Sequence, residues 1–434
     1  MRWKDIRAPA GFTIAALAVI PGTALAARVD YNIDLGVEHN DNVALSAQDE
    51  ISQSYLRSGL GFTVTENTSA LQAQVNGRVE YRNYEDDIFG NTTDGMLSGR
   101  VNWIAIPQRL FFTVEDNLSV QPVNVLSADG PGNRQQVNVF SAGPTLLINW
   151  SPSFQGQAEL RFIDSDAEIS DQFNSKRVSA ALRTIKDLSP TRRLSANLQA
   201  QKVDFDDDVV ARDYDRYDIF GSFSQSLSHF DLSLDAGYSL IAYQHAESRS
   251  EPLLRADATW NLSDRSHFTG SISSQFSDTA SDSLTPIESN ATLPNNVLTG
   301  DAVINASPYK VRSLDVGYNY TNTRLDFGGS TYVQNRDYLD SDQFDQDAHG
   351  IRADVHWVLR RALTLGVFAS GETIDYTQLS RKDDTVRVGA TLRYQWARKW
   401  SMAIQAERYR RDSTDPGQDV AQNFVYLSIS YSNR

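Results

Sequence analysis

The chain has 434 residues, a formal charge of −15, 40% hydrophobic residues and no cysteine. That is enough chain for one large fold or several small domains, and the acidic balance argues against nucleic acid and against docking on anionic lipid through a basic patch. No disulfide supports the fold, and beyond the N-terminus no stretch approaches the ~20 apolar residues of a membrane-spanning helix.

The chain opens with Arg2, Lys4 and Arg7, continues through the apolar stretch Phe12–Ile20, and reaches Pro21-Gly22 and the small-residue site Ala24-Leu25-Ala26. A basic start, a short apolar middle and an A-x-A end predict a secretory signal at 1–26, cut after Ala26. The apolar middle is too short to span a bilayer. Removing these residues takes away three basic groups and Asp5 and leaves a mature charge of −17.

From residue 28 onward, apolar and polar residues alternate. Val29, Tyr31, Ile33, Leu35 and Val37 interleave with Asp30, Asn32, Asp34 and Glu38; Leu71, Ala73, Val75, Val79 and Tyr81 interleave with Gln72, Gln74, Asn76, Arg78, Glu80 and Arg82. Side chains on a strand change face at every residue, so each run makes one apolar and one wet face. The rule predicts twenty strands: 29–38, 53–65, 69–83, 95–105, 110–120, 137–150, 154–164, 175–186, 193–204, 214–226, 230–244, 253–262, 266–276, 311–320, 324–336, 350–359, 362–374, 385–396, 400–410 and 422–431.

The connections alternate in kind. Some are tight, such as Glu66-Asn67-Thr68, Ile106-Pro107-Gln108, Ser151-Pro152-Ser153, Ser263-Asp264-Arg265 and Ala397-Arg398-Lys399. Others are longer and acidic: 39–52, 83–94, 121–136, 164–174, 204–213, 337–349 and 412–421. Short turns on one side and long loops on the other are the habit of outer-membrane barrels, and a soluble sandwich gives no reason for it. The fold class expected is therefore all-β: a transmembrane antiparallel up-and-down β-barrel over 27–434, of about 20 strands within a range of about 18–22. Residues 278–310 include a second half, Val297-Leu298 to Ser307-Pro308, that could make a further strand, but an odd count results, so they read as one long loop, with the lumen as one place for it.

The apolar face carries Leu60, Phe62, Leu160, Phe162, Leu234, Val386 and Val388 among others, and Trp103, Trp150, Trp260, Trp396 and Trp400 all stand beside tight turns, as an interfacial belt would. The wet face supplies the candidate lumen-lining residues Arg78, Glu80, Arg82, Arg100, Glu159, Arg161, Arg183, Arg255, Asp257, Arg352, Asp354, Arg387 and Arg393. Both signs of charge are present, so this wall either holds a water-filled route or closes it by ion pairs. A cylinder of about twenty strands is too wide for side chains alone to fill.

The first strand ends Val37-Glu38-His39-Asn40-Asp41-Asn42-Val43. With Glu38, Asp41, Asn42 and Val43 as its marks, this resembles the E-x-x-D-N-V close of the first strand in the beta-barrel porin-2 group, which includes barrels encoded with exopolysaccharide and exosortase systems of Gram-negative bacteria. The resemblance implies an outer-membrane barrel associated with export of a surface polysaccharide. Its expected partners are outer-membrane lipid and lipopolysaccharide, the polysaccharide itself and periplasmic export components; it brings no catalytic residues. One departure is the C-terminus, where Ser432-Asn433-Arg434 follow the aromatic Tyr431.

Catalytic patterns are poor. The six histidines form no metal-like spacing, Ser266 and His267 are adjacent and so point to opposite strand faces, and no G-x-S-x-G or P-loop is present. No enzyme activity and no cofactor are expected. Two acidic loops crowd carboxylates, Asp204, Asp206, Asp207 and Asp208 in one and Asp337, Asp340, Asp342, Asp345 and Asp347 in the other. The second set is a candidate calcium site, although neither has the Gly and terminal Glu of an EF-hand. Three functions stay open: a polysaccharide-export conduit, a general diffusion porin or uptake channel for small solutes, and a surface-structural or adhesion barrel. Tyr217, Tyr332 and Arg336 are of the type that would contact sugars.

Overall fold

The computed structural model describes residues 27–84, 89–207, 212–243, 246–284 and 306–434. The expected leader, 1–26, and most of the expected long loop, 285–305, lie outside the described residues. Strands β1 (Arg28–Asn40), β2 (Gln53–Asn67), β3 (Leu71–Tyr84), β4 (Thr92–Ile106) and β5 (Leu110–Pro122) come first. Then follow β6 (Arg134–Ser151), β7 (Phe154–Ala167), β8 (Ser175–Ser189), β9 (Arg192–Phe205) and β10 (Tyr214–Ser226). The next set is β11 (Phe230–Tyr243), β12 (Arg249–Ser263), β13 (Ser266–Ser277), β14 (Tyr309–Thr321) and β15 (Leu325–Tyr338). The chain ends with β16 (Gln346–Arg360), β17 (Leu363–Tyr376), β18 (Arg381–Ala397), β19 (Trp400–Ser413) and β20 (Val420–Ser432). One short helix, α1 (Thr279–Ser283), follows β13.

Every strand pairs antiparallel with its chain neighbour, and β20 pairs with β1 from Asn32↔Ser432 to Asn40↔Phe424, so the 20-stranded sheet is a closed up-and-down barrel. Among the described residues no helix is long and apolar enough to cross a membrane. Crossing falls to the strands, whose backbone groups are paired all the way round.

All twenty expected strands are present, several longer than the alternation suggested. β16 begins at Gln346 and β18 at Arg381, four residues before the expected starts. At these ends the outward positions turn polar (Asp347 and His349 on β16, Lys382 and Asp384 on β18), so the apolar period fades while backbone pairing continues.

The two faces of the wall are chemically opposite. On β1, Asp34 and Glu38 are 6% and 4% exposed, whereas Leu35 and Val37 between them are each 53% exposed. An outside this apolar is what a hydrocarbon surround requires. Trp103, Trp150, Trp260, Trp357, Trp396 and Trp400 are all exposed on the outer face within a few residues of the tight turns. Tyr81, Tyr217 and Tyr238 form the opposite aromatic border; Tyr217 thus faces outward, away from the lumen. Trp103 pairs with Leu71, and Tyr81 is ten residues further along β3. At ~3.3 Å per residue and a tilt of ~40°, that interval covers about 25 Å of axis, the height of a barrel's apolar band.

Aromatic rings close over strand glycines. A side chain on Gly36 would stand 2.6 Å from the Tyr426 ring and 2.3 Å from the Leu427 carbonyl, and one on Gly389 would stand 2.4 Å from the Phe368 ring. The missing Cβ lets a ring lie flat on the sheet beside it, which pins register.

The inside–outside assignment has a direct consequence. Leu234, exposed on the outer face near the middle of β11, is expected to lose about 2–4 kcal/mol on substitution to Arg, whereas Ser233→Arg, one residue away on the wet face, should cost far less. Urea titration in lipid vesicles reads both, and equal sensitivity would contradict the assignment.

Candidate functional site: the charged lumen wall

The inward faces of β1 to β4 carry a chain of ion pairs. Glu80 receives Arg57 at 2.8 Å, Arg82 at 2.6 Å and Arg78 at 3.2 Å. Arg57 also donates to Glu38 at 2.8 Å, Arg78 grips Asp34 through both terminal nitrogens at 3.0 and 3.2 Å, and Arg82 reaches Asp94 at 2.6 Å. Tyr55 donates to Glu38, Tyr426 donates to Asp34 at 3.2 Å, and the Arg57 guanidinium lies 4.6 Å above the Tyr426 ring. Alternation puts these groups on one face, and the planar guanidinium fork lets one arginine serve two carboxylates on adjoining strands.

The remaining sequence candidates spread around the wall in smaller groups. Arg100 pairs with Glu115, Glu159 with Arg161 at 3.4 Å, and Arg387 with Glu407 at 3.3 Å. Arg183 donates to Asn197 at 2.7 Å, and Arg255 donates to Gln275 and Asp235. Asp257 stands opposite Ser233, Arg352 opposite Ser330 and Ser370, Asp354 opposite Phe368, and Arg393 opposite Thr364 and Ala403. Arg78, Glu80 and Arg82 of the thirteen meet in the Glu80 network. Arg57, Asp94 and Tyr426 were missed; parity could have put Arg57 on the wet face, but which strand faces which in register is not readable from one sequence.

A cavity of about 1070 Å³ lies between β1–β5 on one side and β14–β20 on the other, with Glu38, Arg57, Glu80, Arg387, Tyr409 and Phe424 among its lining. Part of the opposite wall is covered by α1. Asp278 caps this helix, accepting from the Ala280 and Ser281 N–H groups at 3.1 Å each, and pairs with the buried Arg177 of β8 at 2.5 Å. Ala280 packs on the inward-facing Val137, Val139, Ile163 and Ala167 together with Phe173. Burial works against the Asp278 charge, but Arg177 and the Ser281 donors outweigh it and hold the carboxyl below its ordinary range. A depressed folded-state value gives stability that is present above the ordinary carboxylate range and lost as pH falls through the lowered value. Protection of the α1 amides against hydrogen exchange should therefore hold from neutral pH to mildly acidic pH, while Arg177→Ala lowers it at neutral pH. Loss of protection in the wild type in the mildly acidic range would contradict this.

The motif at the end of β1 clasps the barrel seam. Asp41 accepts from the backbone and side-chain nitrogens of Asn423, both at 2.6 Å, and Asn42 donates to the Ala421 carbonyl at 3.0 Å. Val43 is buried with Tyr55 and Tyr84, and Glu38 holds Arg57. At the other end of the seam, Asn433 accepts from the Tyr31 N–H and donates to the Val29 carbonyl, both at 2.9 Å, while Arg434 pairs with Asp30 at 2.9 Å. The tail beyond Tyr431 thus fastens the last strand to the first.

The acidic loops have structural duties. Asn174, Asp213, Asp345 and Asp419, each just before or at the start of the returning strand, accept from the N–H of Ala167, Phe205, Tyr338 and Ser413 across the loop base, at 2.6–2.8 Å. Of the calcium candidates, Asp345 is used in this way, Asp337 and Asp347 accept from Asn335, and Asp340 accepts from Tyr243 and Arg212. Asp342 opens the short 3-10 turn Asp342–Phe344, and its carbonyl accepts from the Asp345 N–H. The five do not converge, and among the described residues no group of three or more His, Asp or Glu side chains is placed to hold a metal. Asp208 lies outside the described residues.

Because Glu80 joins three arginines, Glu80→Gln leaves three guanidinium groups short of a carboxylate. A loss of about 1–3 kcal/mol is expected in urea unfolding, since Glu38, Asp34 and Asp94 stay in place, with Glu115→Gln, on the exposed Arg100 pair, costing less. Equal costs would mean that the network acts only as separate pairs.

No curated protein sequence matches the chain. In outline it is similar to solved structures of a ferric enterobactin receptor mutant of Pseudomonas aeruginosa (11% identity, TM-score 0.47, covering 93% of this chain and 80% of that one) and of the siderophore receptor PirA of Acinetobacter baumannii (9%, 0.48, 94% and 81%). It is also similar to OccAB4 of Acinetobacter baumannii (9%, 0.35, 93% and 98%). Residues 313–433, running from β14 to the end of β20, match the family model described as "Putative beta-barrel porin 2", the group that the close of β1 resembles.

Proposed function

We propose that the chain is exported by its leader, cut after Ala26, and forms an outer-membrane conduit of a Gram-negative bacterium through which a neutral surface polysaccharide leaves the cell. The observation that carries this reading is the wall of the 1070 Å³ cavity. Its charges are tied to one another in the Glu38–Arg57–Glu80–Arg78–Asp34 chain and the Arg387–Glu407 pair. A wall that neutralises itself offers water and hydrogen-bonding groups with little net field, which suits an uncharged polyhydroxylated chain better than an ion. Selection of a charged solute calls for excess charge of one sign along the route. The resemblance at Glu38, Asp41, Asn42 and Val43 and the family match both favour a porin-like barrel, and the resemblance adds the polysaccharide. Lipid and lipopolysaccharide surround the apolar band, and periplasmic export components meet the tight-turn end.

General diffusion of small solutes is the second reading. It is favoured by α1, which folds inward onto the inner wall of β6–β8, as a constricting loop does.

Loss of the gene is expected to trap glycan in the periplasm while small-solute permeability stays nearly unchanged. Normal surface glycan in the deletion strain, with slower solute uptake, would move the assignment to the second reading. N-terminal sequencing of the membrane-bound protein should start at Ala27; a soluble periplasmic product would contradict membrane placement.

A further inference from the structure

We propose that the inner wall of β18–β20 is a stacking surface for the neutral pyranose rings of the cargo. This rests on the conduit reading and names the place where the chain is held. Phe424, Tyr409 and Tyr332 are half-buried rings that line the cavity. Phe424 stands opposite Glu407 of β19 and Asn40 of β1, and Tyr409 stands opposite Gln422 of β20 and Arg387 of β18. The two rings are therefore diagonal neighbours on adjacent strands, ~7–8 Å apart, close enough to meet successive rings of one extended chain.

Phe424 has no polar atom, yet it occupies a wet face between Glu407, Gln422 and Asn40. Leaving apolar ring area in water forgoes ~25 cal/mol per Å², and the apolar C–H face of a pyranose would cover it. The groups beside Phe424 suit the sugar's rim, because the Glu407 carboxylate and the Asn40 and Gln422 amides stand at the neighbouring register positions, where equatorial hydroxyls would find partners. Arg387 lies 5.2 Å above the Tyr409 ring while its Nε meets Glu407 at 3.3 Å. Its charge is satisfied within the wall, so the surface favours a neutral ring over a uronate. The six described tryptophans all stand on the outer face, so none competes for this role.

The test is single-channel recording of the refolded full-length barrel in planar bilayers, with maltohexaose as the neutral probe and hexagalacturonate as the acidic one. Maltohexaose is expected to interrupt the wild-type current, with shorter interruptions from hexagalacturonate. Phe424→Ala and Tyr409→Ala should each shorten the maltohexaose block about tenfold without lowering the open conductance, and Phe424→Tyr should restore it. Heat-modifiable migration checks the folding of each variant; should Phe424→Ala fail it, Phe424→Leu, which keeps bulk and loses the flat face, takes its place with the same expectation. Block times unchanged by these substitutions, longer blocks from hexagalacturonate, or a conducting wild type that maltohexaose never interrupts would overturn the stacking surface and leave the conduit standing. A folded wild type that carries no ion current would overturn the conduit reading and the stacking surface with it.

Discussion

A strand edge cannot be left open in hydrocarbon. Each unpaired N–H or C=O there costs several kcal/mol, so a sheet that crosses a membrane must close on itself. Everything else in this chain follows from the pairing of β1 with β20. The residues most concentrated on that seam are the ones that looked like a functional signature. Asp41 and Asn42 bind the β20 backbone above the ladder, and Asn433 binds the β1 backbone below it. The motif is thus accounted for by closure, with Glu38 as its link to the lumen network.

Closure at this width creates the second constraint. The inner face must be wet, but a wide ring of charges of one sign would repel itself. The wall answers with arginines that bridge carboxylates on neighbouring strands, so that the charges which make it hydrophilic also stitch β1 to β4 together. Where the wall turns apolar near the loop end, at Val137, Val139 and Ile163, α1 covers it. The same interior therefore handles its polar and apolar stretches differently, and the cavity remains beside the polar one.

The fold was legible because a strand's period of two survives in sequence even when each strand is short. Leu35 and Val37 against Asp34 and Glu38 are enough to tell the outside of β1 from its inside by parity alone. The parts that were illegible depend on register between strands. Nothing in the sequence says that Arg57 faces both Glu38 and Glu80, or that Arg177 would meet Asp278, 101 residues further along the chain. The acidic loops misled for a related reason. Asp345, one of the five calcium candidates, acts as a clamp across its loop base in the folded barrel, as Asp213 and Asp419 do in theirs. Tyr217 had the right chemistry for the lumen and the wrong parity, since its neighbours Arg216 and Asp218 are the ion-paired inward residues of β10.

The proposed conduit needs a wet, self-neutralised wall around an open route. The reversal potential of the purified barrel under a salt gradient tests it most directly. Near 1 M salt the Debye length is ~3 Å, so the acidic loops at the mouth are screened and the wall itself sets the selectivity. A measurable current with a reversal potential close to zero is expected. Strong selectivity for either ion under those conditions, or a folded barrel that carries no current at all, would contradict it.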